Sequence, residues 1–227
     1  MSSEGFDADG VVRVALELLD EVGLGGFTMR ALATRLGTYP STIYWHVGTR
    51  GVVLSEVGEL VLQEAAHGLP DPRSTPWDDW LAINAHSYRR AMQAHPEVAS
   101  WVVTHFEARV PVPWYLESIL VSLAQAGFHG AGLVAAYNTY LGSLAGWVGI
   151  ELIADDPGRG SDPESMRSSF DALSAQEFPT IGANRDHLSN RAFTFRWDGG
   201  ASNPLDDAFD FAVRTWVEGL RVMLEDT

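Results

Sequence analysis

The sequence predicts an all-α fold: a small N-terminal three-helix domain with a helix-turn-helix, followed by a larger helical domain. Three observations predict it. Apolar residues recur at helical period along most of the chain. Two short helical segments stand on either side of Gly37-Thr38-Tyr39. The run from Gly130 to Ile150 carries no charge, as expected of a helix buried in a core.

Val11, Ala15, Leu18, Leu19 and Val22 mark one apolar face of a first helix, which stops at Gly23, and Gly25-Gly26 make the turn that follows. Thr28 is placed to cap a second helix, whose buried stripe is Met29, Leu32, Ala33 and Leu36 and whose end is Gly37. A third helix begins near Pro40, where a missing N–H costs least. Its inward pair is Ile43 and Val47, its outward side is Ser41, Thr42, Tyr44, Trp45 and His46, and Gly48 closes it. A fourth helix runs from about Thr49 to His67 on a stripe of Val53, Val57, Leu60 and Val61. Gly68, Pro70, Pro72 and Pro76 then break the chain, so domains are expected at residues 1–67 and 76–227. In the second, helices are expected from about Trp77 to Ala94, briefly after Pro96, and over 114–126, 130–154, 164–177 and 205–225. Between Phe178 and Pro204, Phe193, Phe195 and Trp197 alternate with polar residues, which suits a short strand or a loop pinned by three rings.

Composition narrows the function classes. Of 227 residues, 46% are apolar and 20% charged, enough for a hydrophobic core and unlike a disordered chain. Without cysteine, disulfides and thiolate zinc sites are excluded, and a reducing cytoplasm is the expected setting. Met1 to Gly10 is acidic and polar, unlike a signal peptide. The uncharged run holds Asn138, Thr139, Ser143 and several glycines and lacks flanking basic clusters, so it reads as a buried helix and no membrane partner is expected. A net charge of −15 counts against a nucleic-acid partner. Its distribution offsets this, since Thr28 to Arg50 carries Arg30, Arg35 and Arg50 and no acid. For an enzyme, His95 with Glu97 offers an acid–base pair, yet there is no Gly-rich phosphate loop and no HExxH or GxSxG motif. No catalytic residue, cofactor or metal is therefore expected. The alternative is an acidic helical adaptor dimer, which leaves the outward face of the third helix unexplained.

A helix-turn-helix sends its second helix into the major groove while neighbouring groups hold phosphates. Ser41 and Thr42 suit base edges, and Tyr44, His46 and Arg50 have the reach for phosphate oxygens. Arg30 suits a phosphate or a guanine, and Thr28 joins this set at the helix cap. The run Phe27-Thr28-Met29-Arg30-Ala31-Leu32-Ala33-Thr34-Arg35-Leu36-Gly37, with Ser41-Thr42-Ile43-Tyr44-Trp45-His46-Val47, resembles the DNA-binding domain of the TetR family of transcriptional regulators. Trp77-Asp78-Asp79-Trp80-Leu81, Asn84-Ala85, Ser87-Tyr88 and Gln125-Ala126-Gly127-Phe128 are similar to the ligand-binding domain of its tetracycline-repressor subgroup. The resemblance implies a repressor released from a palindromic operator by a small effector. It puts Arg30, Ser41, Thr42, Tyr44, Trp45, His46 and Arg50 at DNA-contacting positions. Pro40 stands where that subgroup has a base-reading glutamine, so a different operator is implied.

For the effector, Asn84 and Tyr88 lie four apart on one helix face, and the resemblance puts both at ligand positions. The other reading of Asn84 is a helix-to-helix hydrogen bond. In the subgroup the drug arrives as a magnesium chelate held partly by histidine. The matching positions here are Ala66 and Val102, with His67 and His105 close by, and a pocket glutamine corresponds to Ile119. With Trp101 and Tyr137 completing the set, the lining suits an apolar or aromatic effector better than a magnesium chelate. For a homodimer, Gly142, Ala145, Gly146 and Gly149 give the uncharged helix a small-residue face. The last helix offers Phe209, Val213, Trp216, Val217 and Leu220 as its stripe, with burial inside one subunit as the other reading.

Overall fold

The computed structural model describes residues 7–104, 112–153, 162–196 and 205–225. Every regular element among them is helical. Helices α1 (Ala8–Gly26), α2 (Met29–Arg35), α3 (Pro40–His46) and α4 (Arg50–Ala66) form the N-terminal part. Then follow α5 (Trp77–Ala94), α6 (Pro96–Thr104), α7 (Pro113–Ala126) and α8 (Gly130–Ile153). The C-terminal part has α9 (Pro163–Asp171), α10 (Pro179–Ala183), α11 (Arg185–Leu188), a single 3₁₀ turn at Phe193–Phe195, and α12 (Asp206–Glu225).

The first three helices close over Leu19, Phe27, Leu32 and Ile43, all essentially without solvent contact. Their punctuation is local. Thr28 Oγ1 accepts from Ala31 N at 3.1 Å to start α2, and Gly37, at φ 66°, turns the chain out of it. At Gly23 the prediction of a stop is half met: φ 68° and ψ 171° break the helix there, and one more turn follows to Gly26.

α4 packs on α1 and, beyond it, on α5 and α6, so Val53, Val57 and Val61 are sealed. α5 lies at the centre of the remaining helices, touching α4, α6, α7, α8 and α12. Trp80 Nε1 donates to Pro70 O at 2.9 Å and Gln125 Nε2 to Arg73 O at 2.9 Å, fastening the Pro-rich crossing to α5 and α7. Arg89 makes a two-pronged pair with the fully buried Glu151 at 2.8 and 2.7 Å. It also reaches Asp206 at 2.8 Å, which joins α5, α8 and the start of α12. A buried charge stripped of its partner costs several kcal/mol, so this triad fixes the register of three helices.

Three expectations are corrected. α9 ends at Asp171 and not near Glu177, because Ser174 Oγ accepts from the Gln176 and Glu177 amides in a turn that competes with the helix. Of the two readings of the stretch after Phe178, the strand is not found among the described residues, and the ring-pinned reading holds in the form of short helical turns. The stretch is pinned by Phe193 against Trp147 (4.8 Å between ring centres) and Phe195 against Phe170 (4.6 Å); Trp197 lies outside the described residues. The α12 stripe Phe209, Val213, Val217 and Leu220 is buried within the chain, with Trp216 half-buried beside it, so it is not a free face. α8 buries Ala136, Tyr140, Leu144 and Val148 and leaves the opposite stripe, including Val134 and Ile150, exposed. No helix among the described residues is long and apolar enough to cross a membrane.

Candidate nucleic-acid interface and effector site

α3 has seven residues, and only Ile43 among them is buried. Val47 follows it, half-buried, as the second inward contact. Ser41, Tyr44, Trp45 and His46 are exposed and Thr42 is half-buried. Trp45 is 81% exposed, its ring standing edge-on to His46 at 5.3 Å. Tyr39, just before the helix, is also exposed and makes no side-chain cap, a group the sequence reading passed over. Leaving rings in water forgoes about 25 cal/mol per Å² of apolar surface, so a face of this composition is not explained by folding.

The cations divide by role. Arg30 is exposed on α2, while Arg35 is paired with Glu21 of α1, which holds that carboxyl below its ordinary range through a hydrogen bond. Arg50, expected at phosphate, instead donates from Nη2 to Leu24 O at 2.8 Å and from Nε to Phe27 O at 3.1 Å, with its guanidinium over the Phe27 ring. It ties the start of α4 to the bend between α1 and α2. Thr28 likewise spends its oxygen on the α2 cap.

The second site lies where α5, α7 and α8 meet. Asn84, fully buried, donates from Nδ2 to the Tyr115 hydroxyl at 3.0 Å, and its Oδ1 accepts from the Tyr140 hydroxyl at 2.8 Å. The helix-to-helix reading of Asn84 is therefore the one the geometry displays. Tyr115 and Tyr140 were visible in the sequence only as two more aromatic residues, because nothing local links them to Asn84. Tyr88, four residues on from Asn84 along α5, is also buried. Burial alone pushes that phenol up to about 12. Tyr115 is driven higher, first by burial and also by the neighbouring Tyr88 and Tyr137 phenols, so these three groups share one neighbourhood and all stay neutral at ordinary pH. Ile119 is fully buried, and Trp101 and Tyr137 are half-buried against the core. His67, the cap of α4, is exposed at the surface, and His105 lies outside the described residues. No cluster of three metal-ligating side chains occurs among the described residues.

Two family profiles match the chain: bacterial regulatory proteins of the tetR family over residues 11–57, and the tetracyclin repressor-like C-terminal domain over residues 69–224. The chain belongs to the TetR family. This TetR-family protein is 31% identical over 179 residues to an HTH-type transcriptional regulator of Saccharopolyspora erythraea, covering 78% of this chain and 73% of that one. It is 35% identical over 132 residues to the class A tetracycline repressor from transposon 1721 in Escherichia coli, which covers 57% of this chain but 59% of the repressor's length. In fold it is similar to ActR of Streptomyces coelicolor, solved in complex with actinorhodin, with a TM-score of 0.72 at 24% identity over 97% of this chain and 96% of that one.

Proposed function

We propose that the chain is a transcriptional repressor and not an enzyme. It holds a palindromic operator as a homodimer and releases it when a small aromatic effector enters the body. Residues 1–67 form the reading head and residues 76–227 the effector and dimerisation body, working in the cytoplasm where the operator is. The observation that carries this reading is the outward face of α3: Ser41, Tyr44, Trp45 and His46 exposed on a helix anchored by Ile43. Thr42 and Ser41 read base edges, and Tyr44, His46 and Arg30 meet phosphates.

Support for the effector comes from the polar and aromatic side chains gathered where α5, α7 and α8 meet. Tyr88 and Ile119 are buried and Tyr137 and Trp101 pack against the same core, while Asn84 holds the Tyr115 and Tyr140 rings in place. Neutral phenols and apolar walls suit a flat ring system bearing an acceptor, and ActR binds actinorhodin. Support for the dimer is the exposed α8 stripe Val134, Asn138, Gly142, Gly146 and Ile150 at four-residue spacing. Beside it, Phe211, Thr215, Gly219 and Val222 form an exposed face of α12. Small residues at the centre of each stripe let helices approach closely, and a two-fold pair sets two α3 helices about 34 Å apart, one DNA turn. An effector shifts that spacing only by its differential affinity for the two states.

The test is fluorescence anisotropy on the DNA upstream of the chain's own gene, at two salt concentrations, with Thr42→Ala/His46→Ala as control. Salt-sensitive binding lost in the double variant supports the reading. Equal affinity for scrambled DNA, followed by failure of random-sequence selection, overturns it in favour of an adaptor.

A further inference from the structure

The corner between α5 and α6 is built from His95, Pro96 and Glu97, and it faces two N-terminal helices at once. His95 Nδ1 lies 2.8 Å from Asp20 Oδ2 on α1, and Nε2 lies 3.1 Å from Glu64 Oε2 on α4. Each ring nitrogen of His95 therefore faces a carboxylate, one on α1 and one on α4, so a single side chain bridges the two helices. The His95 side chain is only 16% exposed. Its backbone is fixed as well: its amide closes α5 onto Ala91 and Met92, and its carbonyl accepts from Val98 and Ala99 at the start of α6.

Two residues on, Glu97 Oε2 accepts from the Leu24 amide at 2.7 Å. That amide is available because Gly23, at φ 68°, breaks the α1 ladder one residue earlier. A Cβ at Gly23 would be strained at this φ and would come within 3.4 Å of the same carboxylate oxygen. The other side of the same residue is also taken, since Leu24 O accepts from Arg50 at the first turn of α4, which follows α3 across Gly48. One residue is thus gripped from α6 on one side and from α4 on the other.

We infer that the His95–Pro96–Glu97 corner is the positioning element that sets the orientation of the first three helices on the body, through Asp20 and Glu64 and through the Leu24 bend. The inference rests on the DNA-reading proposal for its consequence: a head held in one orientation loses less freedom on binding, so loosening the corner weakens operator binding without touching DNA.

The experiment uses the full chain with His95→Gln, Glu97→Ala, Asp20→Asn and the His95→Gln/Asp20→Asn double variant. Amide hydrogen exchange at residues 20–27 and operator affinity are measured for each, with thermal melting to confirm folding. Expected are at least tenfold faster exchange in that segment in each single variant and at least fivefold weaker operator binding. The double variant should be no worse than His95→Gln alone, because both break one link. His95→Arg, a cation with donors on two sides, should recover most of both losses. Unchanged exchange overturns the inference. So does faster exchange with operator affinity within twofold of the parent, since the corner would then be structural only. A parent that binds no DNA removes the functional reading, and the exchange arm alone then decides whether the corner fixes the first three helices.

Discussion

At the scale of single residues, the buried polar groups decide most. Asn84 sits on an apolar helix face, and such a residue is tolerable only when its amide is used. Here it engages two phenols from different helices, 31 and 56 residues away in sequence. Asn84→Ala removes the partner of the buried Tyr115 hydroxyl, while the Tyr140 hydroxyl keeps Leu81 O at 2.8 Å, and stability should fall by about 2 kcal/mol, read from the urea midpoint at constant m. Tyr88 gives a pH signature. Burial raises its pKa from the ordinary value to about 12, so the folded chain holds this proton more tightly than the unfolded chain. Stability from this group is therefore fully present below about pH 10 and is lost as pH rises toward about 12. Denaturation at pH 9 and pH 11 should show a smaller alkaline loss in Tyr88→Phe than in the parent. An equal loss in both would show that the folded and unfolded chains hold this proton equally well.

At the scale of elements, what was legible was whatever is written locally. Thr28, Gly37 and Pro40 place the two short helices to the residue, because caps and turns depend on near neighbours. Ile43 inward and Trp45 outward follow from helical spacing alone. What stayed hidden was the use of each arginine. Arg50 looks like a phosphate ligand in sequence and Arg35 like part of the same positive face, but their partners are 14 to 26 residues earlier, on α1 and in the bend after it. This has a measurable consequence. Each phosphate contact adds about 0.9 to the slope of log affinity against log salt. Arg30→Gln should flatten the slope by about one unit and leave melting unchanged. Arg50→Gln should lower the melting temperature, because its main partners are the Leu24 and Phe27 carbonyls. If Arg50→Gln instead flattened the slope at unchanged stability, Arg50 would be a phosphate ligand after all.

At the scale of the whole molecule, the sequence showed that α8 and α12 carry more apolar surface than one subunit needs, but not which face was spare. Phe209, Val213, Val217 and Leu220 form the stronger stripe, and the fold consumes it against α5 and α8. The sequence gives no means of seeing this, since the Arg89–Glu151–Asp206 triad that sets the register joins positions 62 and 117 residues apart. The faces left in water are weaker in pattern: Gly142 and Gly146, whose Cβ positions meet nothing, flanked by Val134 and Ile150, and Phe211 at 66% exposure on α12. If these faces join two copies, Gly146→Glu with Phe211→Glu should convert a dimer to a monomer in sedimentation while helical circular dichroism is kept. Phe209→Ala should do the opposite, costing about 3–5 kcal/mol of stability, as truncating a buried ring does, with assembly intact in whatever remains folded. Palindromic operator binding should vanish in the first variant, because one head alone spans half a site. A charged pair on the exposed stripes that left the sedimentation mass unchanged would move the dimer interface elsewhere, and α8 would then need another reason to leave that stripe uncovered.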